Sequence, residues 1–107
     1  MKREPSFGLP EHAVEALRGV LAHWPCVRRA VLYGSRAKGN PRPGSDIDLT
    51  LEGDLALAEL MAIETEIDDL LLPWMVDLSR REDIDNPQLQ AHIDRVGITF
   101  YEKTPDT

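Results

Sequence analysis

The sequence predicts an α+β (mixed α/β) fold, with helices flanking a small mixed β-sheet of about four strands. Three observations carry that expectation. Apolar residues recur at i, i+3 and i+4 through Val14, Leu17, Val20 and Leu21, and again through Leu57, Leu60, Ile63, Ile67, Leu70 and Leu71, which is helical spacing. Short apolar or alternating runs of strand length interrupt these stretches. The two kinds of segment follow one another as helix, strand, strand, helix, strand, helix, strand, an order that lets helices cover a sheet.

Each element has a local reason. Residues 1–9 are polar with Pro and Gly and read as a loose leader. Pro10 sets up a helix from Glu11 to His23, and Pro25 ends it. Val27 to Tyr33 is a β-leaning strand that stops at Gly34-Ser35. The run Gly39-Asn40-Pro41-Arg42-Pro43-Gly44 is the strongest loop signal in the chain. Ser45 to Leu51 alternates Asp46, Asp48 and Thr50 with Ile47, Leu49 and Leu51, the period of a strand with one apolar face. Gly53 breaks it, and Leu55 to Leu72 forms the longest helix, stopped by Pro73. Trp74 to Ser79 is a strand containing Asp77. Pro87 opens a helix over 88–95 with Leu89, Ile93 and Val96 inward. Gly97 ends that helix, and Ile98 to Tyr101 is the last strand. The domain organisation is thus a leader over 1–9, one domain over 10–102 and a polar tail over 103–107.

Composition narrows the function. The 107 residues suit one domain. The net charge of −7 opposes direct binding of nucleic acid, whose phosphates need a basic surface. No apolar run is long enough to span a bilayer, and no secretory leader is visible behind Met1. A single cysteine, Cys26, forms no internal disulfide and suits a reducing cytoplasm. His12, His23 and His92 show no metal-ligand spacing and read as surface or boundary residues. Trp24, Trp74 and Tyr33 read as packing residues, and Cys26 as a small buried hydrophobe.

One segment carries chemistry. Gly34 permits a sharp turn and close approach to a ligand. Ser35 adds a hydroxyl and a backbone N–H at what reads as the start of a helical turn, a natural place for phosphate. Arg36, Lys38 and Arg42 bring positive charge to the same region of an acidic chain. Asp46 and Asp48, two apart on a strand, point to one face. Paired carboxylates repel unless a cation lies between them, and hard oxygen donors suit Mg²⁺ or Mn²⁺. No Walker A loop and no Gly-x-Gly-x-x-Gly accompanies them.

Gly34-Ser35-Arg36-Ala37-Lys38-Gly39 followed by Ser45-Asp46-Ile47-Asp48-Leu49 resembles the signature of the DNA polymerase beta-like nucleotidyltransferase superfamily. It is most similar to the minimal nucleotidyltransferases (MNT), small antitoxin partners of HEPN-domain toxins. The resemblance extends from Val31 to Tyr101 and implies the nucleotidyltransferase fold for that stretch. It also implies a third carboxylate on a later strand, and Asp77 in Trp74-Met75-Val76-Asp77-Leu78 matches it.

By that resemblance, Gly34 and Ser35 hold the triphosphate of ATP, with Arg36, Lys38 and Ser45 as further nucleotide-binding residues. Asp46, Asp48 and Asp77 bind two Mg²⁺ ions and carry the catalysis, Asp77 as general base. The implied activity is protein adenylylation: AMP passes to a hydroxyl, by family resemblance a tyrosine of a cognate HEPN ribonuclease toxin. Two alternatives remain open. One is a non-catalytic antitoxin that inhibits its HEPN partner by contact. The other is the catalytic subunit of a small-molecule nucleotidyltransferase of the antibiotic-modifying type. The short chain and its acidity together favour an acceptor presented by another protein.

Overall fold

The computed structural model describes residues 8–38 and 46–104. Helix α1 (Glu11–Ala22) buries Ala13, Val14, Leu17, Val20 and Leu21 along one face. Pro10 precedes it, and its carbonyl accepts the Ala13 and Val14 N–H groups at 3.0 and 3.2 Å. Leu9, placed by the sequence in the leader, is buried in the same core. Strand β1 (Val27–Tyr33) has the predicted bounds. Strand β2 (Ile47–Gly53) starts and ends two residues later than its pattern suggested. Its ladder begins where the Ile47 N–H donates to the Met75 carbonyl at 2.8 Å, so Asp46 lies just outside it. Gly53 does not break the strand. It pairs with Val27 beside a register shift, at a φ of 147°, and a Cβ there would run into the Cys26 carbonyl.

Helix α2 (Leu57–Asp68) is shorter than its apolar stripe. The Leu70 and Leu71 N–H groups reach only three residues back, to Ile67 and Asp68 at 3.0 Å, so the last turn tightens. Leu71 then takes a φ of 56° and is 87% exposed. Leu57 is also exposed, so two residues expected in the core stripe lie outside it. Strand β3 (Val76–Arg80) leads into one 3₁₀ turn (Arg81–Asp83). Helix α3 (Pro87–Val96) is capped by the Asn86 side chain, which accepts from the Gln88 and Leu89 N–H groups at 2.9 and 3.3 Å. Strand β4 (Ile98–Glu102) closes the sheet.

The strand order is β3-β2-β1-β4. β1 runs antiparallel to β2 and to β4, whereas β2 and β3 are parallel. The sheet is therefore mixed and four-stranded, as the sequence predicted. One face packs Leu32, Ile47, Leu49, Leu51, Leu78 and Phe100 against the apolar sides of α1 and α2. Trp24 ties the end of α1 to α2 by donating its Nε1–H to Glu66 at 2.7 Å. Side chains alternate along a strand, so the opposite face carries Asp48, Thr50, Asp77 and Ser79. α3 lies against β1 on the sheet, with Ile93 buried. Arg81 anchors it, donating to Gln90 at 2.8 Å, to Asp94 at 2.8 Å and to Glu52 of β2 at 3.4 Å. No helix among the described residues is long and apolar enough to cross a membrane.

Leu17 is fully buried between α1 and the sheet. Leu17→Ala is expected to lower stability by about 2–5 kcal/mol through lost burial and a residual cavity. Urea unfolding would read this as a lower midpoint at an unchanged slope.

Candidate active site

The site is built where β1 ends. After Tyr33 the chain turns at Gly34, with a φ of 79°. The Gly34 carbonyl accepts the Lys38 N–H at 3.2 Å, closing one turn over 34–38. The Gly34 N–H donates to His92 Nε2 at 3.3 Å. Glycine is required twice over: the positive φ strains any other residue, and a Cβ would run into the Asp48 carboxylate.

Asp48 sits at the centre of the arrangement. It pairs in register with Tyr33 across the antiparallel β1–β2 ladder and with Asp77 across the parallel β2–β3 ladder. Partners in adjacent strands point to the same face, and strands lie about 4.8 Å apart, so the two carboxylates stand side by side. Burial pushes the Asp48 carboxyl above the usual aspartate value of 3.8; Asp77 and Asp46 add to the shift and His92 opposes it. The Tyr33 phenol is also raised, first by burial and then by Asp48 and Asp77, while a hydrogen bond with Ser79 opposes the shift. Tyr33, expected in the core, is half-buried at the edge of this site. Below the carboxylates, Ser79 Oγ donates to Thr50 Oγ1 at 3.0 Å, which satisfies two polar groups on that face.

The remaining sequence-predicted residues fall in different surroundings. Asp77 is exposed on the edge strand β3. Asp46, exposed just before β2, acts electrostatically on both Asp48 and Arg36. Ser35 and Lys38 are exposed on the turn. Arg36 is 4% exposed. Its Nη1 donates to the Gly8 carbonyl at 3.3 Å, and its guanidinium lies 6.0 Å from the Trp74 ring centroid. Burial lowers its pKa, partly offset by Asp46. Arg36 therefore braces the underside of the turn. Ser45 lies outside the described residues, as does Arg42.

His92 is the residue that the sequence reading missed. The sequence reads it as a surface or boundary histidine; it is half-buried, as a boundary residue is, and it is bonded to the turn, which the sequence does not show. Its ring also meets Tyr33 edge-on, with centroids 6.3 Å apart. The signal was available: His92 lies three residues after Leu89 and four before Val96, on the predicted inward face of α3.

The donor chemistry fits hard divalent cations, because in-register carboxylates with an uncompensated repulsion gain from a positive charge between them. Among the described residues no three carboxylate, thiol or imidazole groups already stand close enough to hold one ion together.

A glycine turn after the first strand is thus followed by a carboxylate-bearing second strand, with a third carboxylate in register beside it. The family described as polymerase beta nucleotidyltransferase matches residues 15–106, and the chain belongs to that family. Three solved structures share its fold. A toxin–antitoxin complex with AMP-PNP has a TM-score of 0.65 at 20% identity, covering 89% of this chain and 75% of that one. A mutant MntA–HpeT toxin–antitoxin pair gives 0.64 at 18% identity, over 89% and 75%. A tri-AMPylated HEPN toxin of Shewanella oneidensis in complex with its MNT antitoxin gives 0.63 at 16% identity, over 87% and 72%. Comparison with curated protein sequences finds no match.

Two outcomes follow from the geometry. Gly34→Ala is expected to cost about 1–3 kcal/mol of stability through the strained φ, with the Asp48 carboxylate displaced; chemical denaturation and the Asp48 side-chain NMR signal read the two effects. Because Asp48 has a raised pKa, the folded protein keeps that proton to a higher pH than the unfolded chain does. Its contribution to stability is lost as pH rises through the folded value. Asp48→Asn is therefore expected to raise the thermal midpoint at pH 7, with the gain fading as pH falls through the folded value and gone below the unfolded value of 3.8. A midpoint unchanged or lowered at pH 7 would contradict this account of the carboxylate pair.

Proposed function

We propose that this chain is a Mg²⁺-dependent nucleotidyltransferase that moves AMP from ATP onto a hydroxyl of a partner protein, acting as the antitoxin of a HEPN toxin. The observation that carries the reading is the in-register Asp48–Asp77 pair beside the Gly34 turn. Asp46, Asp48 and Asp77 are the residues that would hold the ions. When bound, divalent ions neutralise these carboxylates and withdraw charge from the phosphates of the nucleotide.

The chain's own groups do the rest. The turn from Ser35 to Lys38 offers a hydroxyl, backbone N–H groups and an ammonium to the triphosphate. Asp77, exposed on the edge strand, takes the proton from the attacking hydroxyl. The hydroxyl oxygen forms a bond to the α-phosphorus. The bond from that phosphorus to the bridging oxygen breaks, and pyrophosphate leaves.

Two features support a protein as acceptor. The large hydrophobic residues exposed among the described residues are Leu57, Met61, Leu71 and Met75, all on α2 or the connection into β3. Residues 57–78 also carry six carboxylates and no lysine or arginine, which suits a basic partner. The fold shared with an MNT antitoxin in complex with a tri-AMPylated HEPN toxin supports a HEPN partner; a tyrosine acceptor is what the sequence resemblance implies.

The test is incubation with the protein encoded by the adjacent reading frame, Mg²⁺ and ATP labelled at either the α or the γ phosphate. Label from the α position is expected on the partner, and Asp77→Asn is expected to slow its appearance by about 10²–10⁴-fold. Label from the γ position alone would mean a kinase. Activity persisting in Asp46→Asn with Asp48→Asn would refute the assignment of the carboxylates.

A further inference from the structure

The contact between α3 and the Gly34 turn goes beyond the signature residues. Three observations meet at His92. Its Nε2 accepts the Gly34 N–H at 3.3 Å across 58 residues of sequence. Its ring stands edge-on to Tyr33, the last residue of β1 before the turn. The residue it holds abuts the carboxylate site, since a Cβ at position 34 would strike Asp48. The acceptor role requires Nε2 without a proton, so the ring proton resides on Nδ1. The ring itself is positioned from outside the site. Asn86 caps the start of α3, and Arg81 ties the helix to Glu52 of β2 through Gln90 and Asp94.

We infer that His92 is a positioning residue of the nucleotide site: it fixes the Gly34 amide, and through it the Ser35–Lys38 turn that receives the phosphates. The Gly34 N–H then serves the protein rather than the ligand, and the phosphate-facing donors are those of Ser35 onward. Without an acceptor at Nε2, the Gly34 amide on the site face loses its partner, and a residue at positive φ has one tether fewer. Nucleotide affinity falls because the turn must be ordered at the moment of binding. This inference rests on the proposed nucleotidyltransferase reading, and the experiment separates the two.

The variants are His92→Ala, which removes the acceptor, and His92→Gln, whose amide oxygen can replace it. Amide hydrogen exchange at Gly34 reads the contact without any nucleotide. Calorimetric titration with AMP-PNP and Mg²⁺ reads its consequence. His92→Ala is expected to speed Gly34 exchange and weaken AMP-PNP binding, each by about five- to tenfold, the scale of one hydrogen bond. His92→Gln is expected to recover most of both, which a merely structural loss of packing would not do. With substrate turnover as readout, the alanine variant should raise KM for ATP more than it lowers kcat. AMP-PNP affinity unchanged in His92→Ala, or His92→Gln no better than alanine, overturns the inference and leaves the nucleotidyltransferase reading intact. A wild-type chain that protects Gly34 but binds no nucleotide overturns both.

Discussion

Two carboxylates facing each other across a parallel strand pair set the terms for the rest of this structure. Asp48 and Asp77 occupy one register position, and no lysine or arginine shares it. Their repulsion, together with burial, lifts the Asp48 carboxyl and makes this stretch of sheet less stable than a neutral pair would. A small sheet tolerates such a position only where the opposite face is secure. Here that face carries the core: Ile47 and Leu49 flank Asp48 in β2, and Val76 and Leu78 flank Asp77 in β3. The alternation of a strand thus turns each carboxylate away from α1 and α2 while its neighbours hold the strands on them.

The turn beside Asp48 obeys the same constraint. Space between β1 and the carboxylate is so limited that a side chain at position 34 would have to displace the Asp48 carboxylate. The backbone fills that space instead, and its amide is claimed by His92. Arg36, buried under the turn, donates Nη1 to the Gly8 carbonyl and lies over the Trp74 ring. The turn is therefore braced from α3 on one side and from residue 8 on the other. Such a turn can present Ser35 and Lys38 outward without reorganising, which is the property that phosphate recognition rewards.

Much of this was legible in the sequence, and the failures share a cause. β1 was read with its true bounds because Pro25 and Gly34 bracket a short apolar run. The choice of Asp77 as third carboxylate came from a family resemblance rather than from spacing, and its register with Asp48 was not legible, since nothing local links positions so far apart. α2 was read too long because Leu70, Leu71 and Leu72 continue its apolar stripe; periodicity cannot sense that Leu71 enters the left-handed region. The strand reading of Asp46 failed for a similar reason: alternation extends one residue beyond the first ladder bond. His92 was misjudged because spacing gives a residue's face but not what that face meets. The burial of Arg36 was not legible either, because the charge of a residue does not reveal its surroundings.

The unequal exposure of the two paired carboxylates supports different roles for them. Asp48 lies in an inner strand, walled by β1 with Tyr33 on one side and β3 on the other, and it is half-buried. A group there can be reached only from the face of the sheet, beside the turn that would hold phosphates. Asp77 lies on the edge strand and is exposed. It can be approached from the face and from the open edge, past the apolar residues Leu71 and Met75 that lead into β3. A nucleotide and a bulky acceptor must both reach one phosphorus atom from opposite directions for an in-line displacement. An inner carboxylate on the nucleotide's side and an edge carboxylate on the acceptor's side satisfy that requirement. On the proposed reading, the order β3-β2-β1 does more than assemble a sheet: it would set Asp77, as base, at the border where a second protein could bring its hydroxyl.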